Sequence, residues 1–398
     1  MYRPRRPRQG SLPASTAALI SVIIEVVLSP PPPSLAPLLL SWYDREGRTL
    51  PWRGISDLYG ILVSELMLQQ TRVDTVLGYW DRFMERFPTV ADLAAAHEDD
   101  VMAAWSGLGF YRRARNLHRA AQEIVTHHKG AVPEDPEALL SLPGVGRYTL
   151  GAILSSGRNA KLPILDGNVI RVLTRVYSIG GAPDRAATQR VLWQLAEDIL
   201  PDGRPGDFNQ AIMDLGATLC RRTSPSCPSC PFRAICTSAA TGTSEDFPRP
   251  GRSTAVKRVE RVAVLIEDSD GRFALKRRPA SGLLASLWEL PSADLGPNEE
   301  PEVVAARLTS ELIATGRPDG PQPVWSDLRQ CGSVEHRFSH RHWVIQVFRG
   351  RAVLHPTVTT EEGPETRLRV DYSGLDNLGV PTVTRKTIDC ALAATGGA

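Results

Sequence analysis

The chain has 398 residues, 42% of them hydrophobic and 23% charged, which suits about two ordinary globular domains. A formal net charge of only +2 excludes nucleic-acid binding by bulk charge, so any basic footprint must be local. The six cysteines are too few and too clustered for a secreted disulfide scaffold.

In chain order, the basic "MYRPRRPRQG" leads into a short apolar stretch, Ala17 to Leu28, and then "SPPPPSLAP". That order is similar to a signal peptide. Glu25 interrupts the apolar core, however, no small-x-small cleavage site stands out, and the stretch is too short to span a bilayer. Residues 1–37 therefore read as a disordered extension or an early start codon. The protein is expected in the cytoplasm, as a monomer without a membrane partner.

From 38 to 236 the pattern is helical. "VDTVLGYWDRFMERF", "RARNLHRAAQEIVTHH" and "TQRVLWQLAEDIL" repeat apolar residues at three-to-four spacing, and Pro/Gly punctuation such as "VPEDPE" and "GGAPD" separates them. This half is expected to form one all-helical domain. Residues 237–257, rich in Ser, Thr, Gly and Pro, read as a linker. Beyond it, "RVAVLIEDSDGRFALKRR" is strand, Asp-Gly turn, strand, "PEVVAARLTSELIATG" is helix, and "HWVIQVFRGRAVL" is strand again. Residues 258–398 are thus expected to form an α+β domain.

Four places in the helical half carry chemistry, the last of them a group of cysteines. In "GILVSELMLQQT" a single carboxylate, Glu65, sits in an apolar run, where burial should raise its pKa and keep it partly protonated. In "EALLSLPGVGRYTLGAIL", Gly144 and Gly146 permit a tight turn with positive φ, and amides opening the next helix can hold an anion. With Pro143 and flanking apolar helices this is a helix-hairpin-helix pattern suited to a DNA backbone phosphate. In "LPILDGNVIRVLTRV", Asp166 precedes a helix with an apolar side of Val169, Ile170, Leu173 and Val176. Its plain role is N-cap, and the amides that make it a cap also hold it ionised. One raised acid and one anion make the division of labour that glycosidic cleavage requires. Spacing does not show that the two groups meet.

Cys220, Cys227, Cys230 and Cys236 form C-x6-C-x2-C-x5-C, stiffened by Pro225, Pro228 and Pro231. Four thiolates this close suit a metal centre, and spacing leaves zinc and a [4Fe–4S] cluster both open. Cys331 and Cys390 lie far off in sequence.

Taken in order, "LPWR", "SELMLQQTRVDTV", "GLGFYRRARNL", "LPGVGRYTLGAI", "ILDGNVIRV", "FNQAIMDLGATLC", the four-cysteine loop, "GLLASLWELP" and "EHRFSHRHW" resemble adenine DNA glycosylases of the MutY type. These enzymes remove adenine mispaired with 8-oxoguanine. The resemblance runs from about Leu38 to the C-terminus. It implies a helix-hairpin-helix domain with a [4Fe–4S] cluster on the four cysteines, then a Nudix-like domain, with mispaired double-stranded DNA (A:8-oxoguanine or A:G) as partner. It also implies roles for single residues. Glu65 would protonate adenine at N7, and Asp166 would stabilise the sugar cation, with Tyr148 and Asn168 supporting both. Gln210 would read the adenine edge, with Trp52 and Arg53 lining the same pocket. Gln69, Gln70, Thr71, Leu108 and Phe110 would fill the gap left by the extruded base, and Gly144 and Gly146 would hold the backbone. Phe338, Ser339 and His340 would recognise 8-oxoguanine. The family usually has tyrosine where Phe110 stands, so stacking is kept and a phenolic hydrogen bond is lost. Arg112, Arg113, Arg115 and Arg119 form a local basic stretch.

Three other readings compete. An endonuclease III-type glycosylase/lyase shares the hairpin and the cysteines, but it uses a lysine just after the hairpin, where this chain has Tyr148. A non-catalytic metal-stabilised DNA-binding module leaves Glu65 and Asp166 unexplained. A nucleotide-pool hydrolase needs the paired acids of a Nudix box, and "ARLTSELIATG" lacks them.

Overall fold

The computed structural model describes residues 35–251, 255–313, 325–352 and 367–393. Most of the expected N-terminal extension, including the apolar stretch Ala17 to Leu28, lies outside the described residues. The first described helix, Leu35–Glu46, begins ahead of the expected boundary at 38, because Leu35 and Leu39 already belong to the core.

Contacts divide the chain into two units. The first holds residues up to Glu65, Pro133–Ser141 and Val145–Ser253; the second holds Leu66–Val132, Leu142–Gly144 and Thr254 onward. Both units therefore draw helices from the expected all-helical stretch, 38–236. Periodicity reports which face of each helix is apolar, and not which partner covers it.

In the first unit, helix Pro205–Thr218 packs against helices Leu35–Glu46, Arg147–Arg158 and Gly167–Val176. Leu39, Trp42, Leu173, Leu192, Phe208 and Leu215 meet in one apolar core. The approach of Pro205–Thr218 to residue 168 requires Gly216, because a Cβ there would lie 2.6 Å from the Asn168 Cβ. Helix Gly167–Val176 buries Val169, Val172, Leu173 and Val176, close to the expected stripe, and also Arg175. The expected linker starts late: Thr237–Ala240 is a short helix, and Ser238 and Ser244 are buried with their hydroxyls 3.3 Å apart. Small polar residues that look like linker composition are here packing residues.

The second unit combines helices Val73–Arg86, Val90–Ala95, Glu98–Ala104 and Arg112–His127 with a seven-stranded sheet. Its strands are β1 (Lys257–Glu267), β2 (Phe273–Arg277), β3 (Trp288–Glu289), β4 (Ser292–Asp294), β5 (Trp325–Arg337), β6 (Arg341–Ala352) and β7 (Arg367–Val370). The order is β3-β2-β1-β6-β5, with β4 on β1, β7 on β2, and β1 parallel to β6. Helix Pro301–Ile313 covers one face through Val304, Ala305 and Leu308. Helix Thr382–Ala393, absent from the sequence expectation, covers the other through Val383, Ile388 and Ala391. Cover on both faces explains why "VAVLI" in β1 is continuously apolar.

Candidate active site

Helix Leu58–Leu68 is buried nearly all round: Ile61, Leu62, Val63, Leu66 and Met67 are each at most 2% exposed. Glu65 is carried into this environment at 4% exposure, and its Oε2 has no hydrogen-bond partner. Burial pushes its pKa up to about 7, helped by the charge of Asp166 and opposed by the Tyr148 hydroxyl and by Arg53. Tyr148, in helix Arg147–Arg158, has the Met213 sulfur as a competing acceptor for that proton, 3.4 Å from its hydroxyl. Burial, Glu65 and Asp166 hold the phenol well above its ordinary pKa, so it stays a donor.

Asp166 caps helix Gly167–Val176. Oδ1 accepts from the Val169 amide at 2.7 Å and Oδ2 from Asn168 Nδ2 at 2.9 Å. The sequence expectation that capping governs its charge is corrected: burial raises its pKa overall, against these bonds and the Arg171 charge. The donors nevertheless favour its ionised form, whereas Glu65 has the single Tyr148 bond and an orphan oxygen. A shared proton therefore belongs on Glu65. Asn168 is itself held, since Arg171 donates to its Oδ1 at 2.8 Å and to the carbonyls of Gly216 and Cys220 at 2.6 and 2.7 Å.

Arg53 does not stand free in the pocket. It forks onto Asp214 at 2.8 and 2.7 Å, and Arg48 holds the same carboxylate through its amide at 2.9 Å and its guanidinium at 2.5 Å. Burial alone would raise Asp214, but Arg53 and Arg48 outweigh it and its pKa falls. Sequence reading missed Asp214; its place four residues after Gln210 on an apolar helix was the available signal. Trp52 is buried at 5% exposure. Gln210 is half-buried, with Nε2 donating to Ser156 Oγ at 2.9 Å.

The four cysteines line one cavity with apolar walls from Val172, Val176, Leu215, Leu219 and Phe232. Burial raises the Cys220 and Cys230 thiols, Cys230 to about 12 with the other three thiols adding, and Arg175 donates to Cys220 Sγ at 3.4 Å. A cation held between them would favour the thiolate forms of Cys220 and Cys230. Among the described residues, no three His, Cys, Asp or Glu side chains converge on a single-ion position.

Residues 63–198 match the model of the HhH-GPD superfamily of base excision DNA repair proteins, and residues 262–390 match the NUDIX domain. The adenine DNA glycosylase of Mus musculus is 38% identical over 78% of this chain and 69% of its own length. That of Schizosaccharomyces pombe is 31% identical over 89% of this chain and 88% of its own length. The chain belongs to the adenine DNA glycosylases. A solved thermostable thymine-DNA glycosylase is similar at 28% identity and a TM-score of 0.48, over 56% of this chain and 99% of that one.

In this base excision repair glycosylase the remaining expected residues fall in the second unit, apart from Gly146. Gln69, Gln70 and Phe110 line a cavity of about 640 Å³ together with Phe338, Ser339 and His340. Phe338 stacks edge-on against His336 and Trp343, with ring centroids 4.6 and 4.8 Å apart, and its amide closes the β5–β6 turn on the Arg341 carbonyl at 2.7 Å. Gln70 and Phe110 are exposed at positive φ, of 60° and 47°, whereas Leu108 is buried at 5% exposure. Thr71 Oγ1 accepts from Arg113 at 3.0 Å. The basic stretch is corrected as well. Arg113 is 6% exposed and donates to the carbonyls of Leu66, Met67, Gln69, Leu108 and Gly109, while Arg112 and Arg119 face solvent. Burial lowers its pKa to about 10, so it remains a cation. At the hairpin only Gly144 has positive φ, +86°, and a Cβ there would meet the Asn116 Cβ at 2.9 Å. Gly146 is an extended N-cap at φ −111°, with nothing within 4 Å of where its Cβ would stand.

Proposed function

We propose that this glycosylase removes adenine mispaired with 8-oxoguanine, or with guanine, from duplex DNA. The observation that carries the reading is the pair of buried carboxyls with opposite hydrogen bonding. Glu65 has an orphan oxygen and a pKa near neutrality, and Asp166 is held by donors. The adenine nucleotide leaves the stack, because chemistry at its glycosidic bond needs access that a duplex denies. Glu65 gives its proton to N7, and the base departs as a neutral leaving group. Asp166 stabilises the positive charge that develops on the sugar, and water completes the hydrolysis. Gln210 reads the adenine edge, with Trp52 and Arg53 lining the pocket. In the second unit the 640 Å³ cavity takes the orphaned 8-oxoguanine against Phe338, Ser339 and His340.

Tyr148 occupies the place where a lyase carries its lysine, so the enzyme is monofunctional and yields little borohydride-trapped adduct. Cys220, Cys227, Cys230 and Cys236 hold a [4Fe–4S] cluster, a reading supported by four thiols lining one apolar-walled cavity beside Arg175. Bound there, the cluster would cross-link Cys220, Cys227, Cys230 and Cys236 and so brace the loop that carries them. We place the enzyme in the cytoplasm as a monomer.

The test is single-turnover base release from duplexes carrying A:8-oxoguanine, A:G and A:C, with Glu65→Gln and Asp166→Asn alongside and a visible spectrum of the purified protein. Both variants are expected to lose at least a hundredfold in rate, roughly the share of general acid catalysis. Release at the parent rate from either one would refute the mechanism.

A further inference from the structure

On helix Pro205–Thr218 the side chains of Gln210, Met213 and Asp214 stand at i, i+3 and i+4, and so on one face. Met213 receives the Tyr148 hydroxyl, and Asp214 receives Arg53. Tyr148 and Arg53 both act on the charge of Glu65. Gln210 is the third member of this stripe, and its side-chain partner is Ser156 at 2.9 Å. Ser156 lies on the same helix as Tyr148, eight residues on, and is half-buried as Gln210 is. Both side chains therefore keep part of their surface uncovered.

A carboxamide is an ambiguous reader. One edge accepts and the other donates, and rotation about the last side-chain bond exchanges them. The two purine classes differ at the same point: a 6-amino purine donates where a 6-oxo purine accepts. Gln210 left to rotate would serve either class. With Nε2 donating to Ser156 Oγ, Oε1 is turned away as the acceptor, and the opposite orientation would need the serine hydroxyl to turn round and donate instead. We propose that Ser156 is a positioning residue that fixes the Gln210 carboxamide, so that the pair selects 6-amino over 6-oxo purines. This deepens the reading of Gln210 as the adenine-facing residue and rests on it.

The experiment is single-turnover excision of adenine and of hypoxanthine, each opposite 8-oxoguanine, reported as the ratio of the two rates. Ser156→Ala is expected to lower that ratio by about five- to tenfold, the effect of one oriented hydrogen bond, while Ser156→Thr restores it. Ser156→Cys, similar in volume but a weak acceptor, gives the same drop should Ser156→Ala fail to fold. Equal loss on both bases would mark a merely structural serine and overturn the proposal, as would an unchanged ratio. Gln210→Ala separates the two levels. If it leaves the ratio at the parent value, the adenine reading of Gln210 fails. If it collapses the ratio while Ser156→Ala does not, only the Ser156 assignment fails.

Discussion

The proton on Glu65 has consequences for rate and for stability. The acid works only when protonated, so adenine release should fall as pH rises through about 7, as single-turnover rates between pH 5.5 and 9 would show. The linkage runs against the fold. The folded pKa lies above the unfolded value of 4.5, so the folded state binds the extra proton and stability falls as pH rises from about 4.5 to 7. Above pH 7 the penalty is complete, on the order of 3 kcal/mol for a shift of this size. Glu65→Gln should therefore be inactive yet more stable than the parent at pH 8, and equal to it near pH 4; urea melts at the two pH values compare them. The Tyr148 hydroxyl has two acceptors in reach, the Met213 sulfur and the Glu65 carboxyl. Met213→Leu removes the first at nearly constant volume. The hydroxyl then turns fully to the carboxylate, and the alkaline limb of the rate profile should move to lower pH. An unmoved limb would show that the sulfur does not compete.

Among the elements, the two loops that carry Gln70 and Phe110 depend on one buried cation. Both residues hold left-handed backbone, which costs roughly 1–2 kcal/mol each for non-glycine residues. Arg113, early in helix Arg112–His127, binds the carbonyls of both loops and also lies 5.4 Å from the rings of Trp105 and Phe110. Replacing Arg113 by Met leaves several carbonyls without a donor. A loss of roughly 3 kcal/mol or more in stability is expected, together with weaker binding to mispaired duplex. A variant that melts with the parent and binds equally well would show the loops to be self-supporting. Arg113→Lys should rescue little, because a single ammonium cannot reproduce the planar fork.

At the scale of the whole molecule, the second unit joins residues far apart in the chain. Ser106 and Tyr111 both donate to the Val380 carbonyl, at 2.8 and 3.3 Å, and Arg277 pairs with Asp99 at 3.0 Å. A Cβ on Gly379 would lie 2.6 Å from that of Met102, which is buried at 1% exposure. A chain ending at residue 251 should therefore lose the cover over its own helices. With Met102 and Tyr111 uncovered, proteases should cut faster between residues 98 and 115 than in the full chain, and the apparent Tm should fall by several degrees. Unchanged cutting would show that helices 73–127 stand without the sheet.

Much of this protein could be read without its fold, because the signals are local. The Asp166 cap, the glycine turn at 144, the grouped cysteines and the apolar run around Glu65 depend on neighbours within a few residues. Charge state and exposure do not. Whether Glu65 or Asp166 holds the proton depends on Tyr148, Asn168 and Val169 and on how far each carboxyl is desolvated. Asp214 acquires its role only when residues 48 and 53 arrive from more than 160 positions away, and Arg113 changes from surface charge to internal staple only when two loops close on it. Helical period and motif spacing are one-dimensional and survive in the sequence; desolvation and hydrogen-bond satisfaction are set by three-dimensional packing, and only the folded chain decides them.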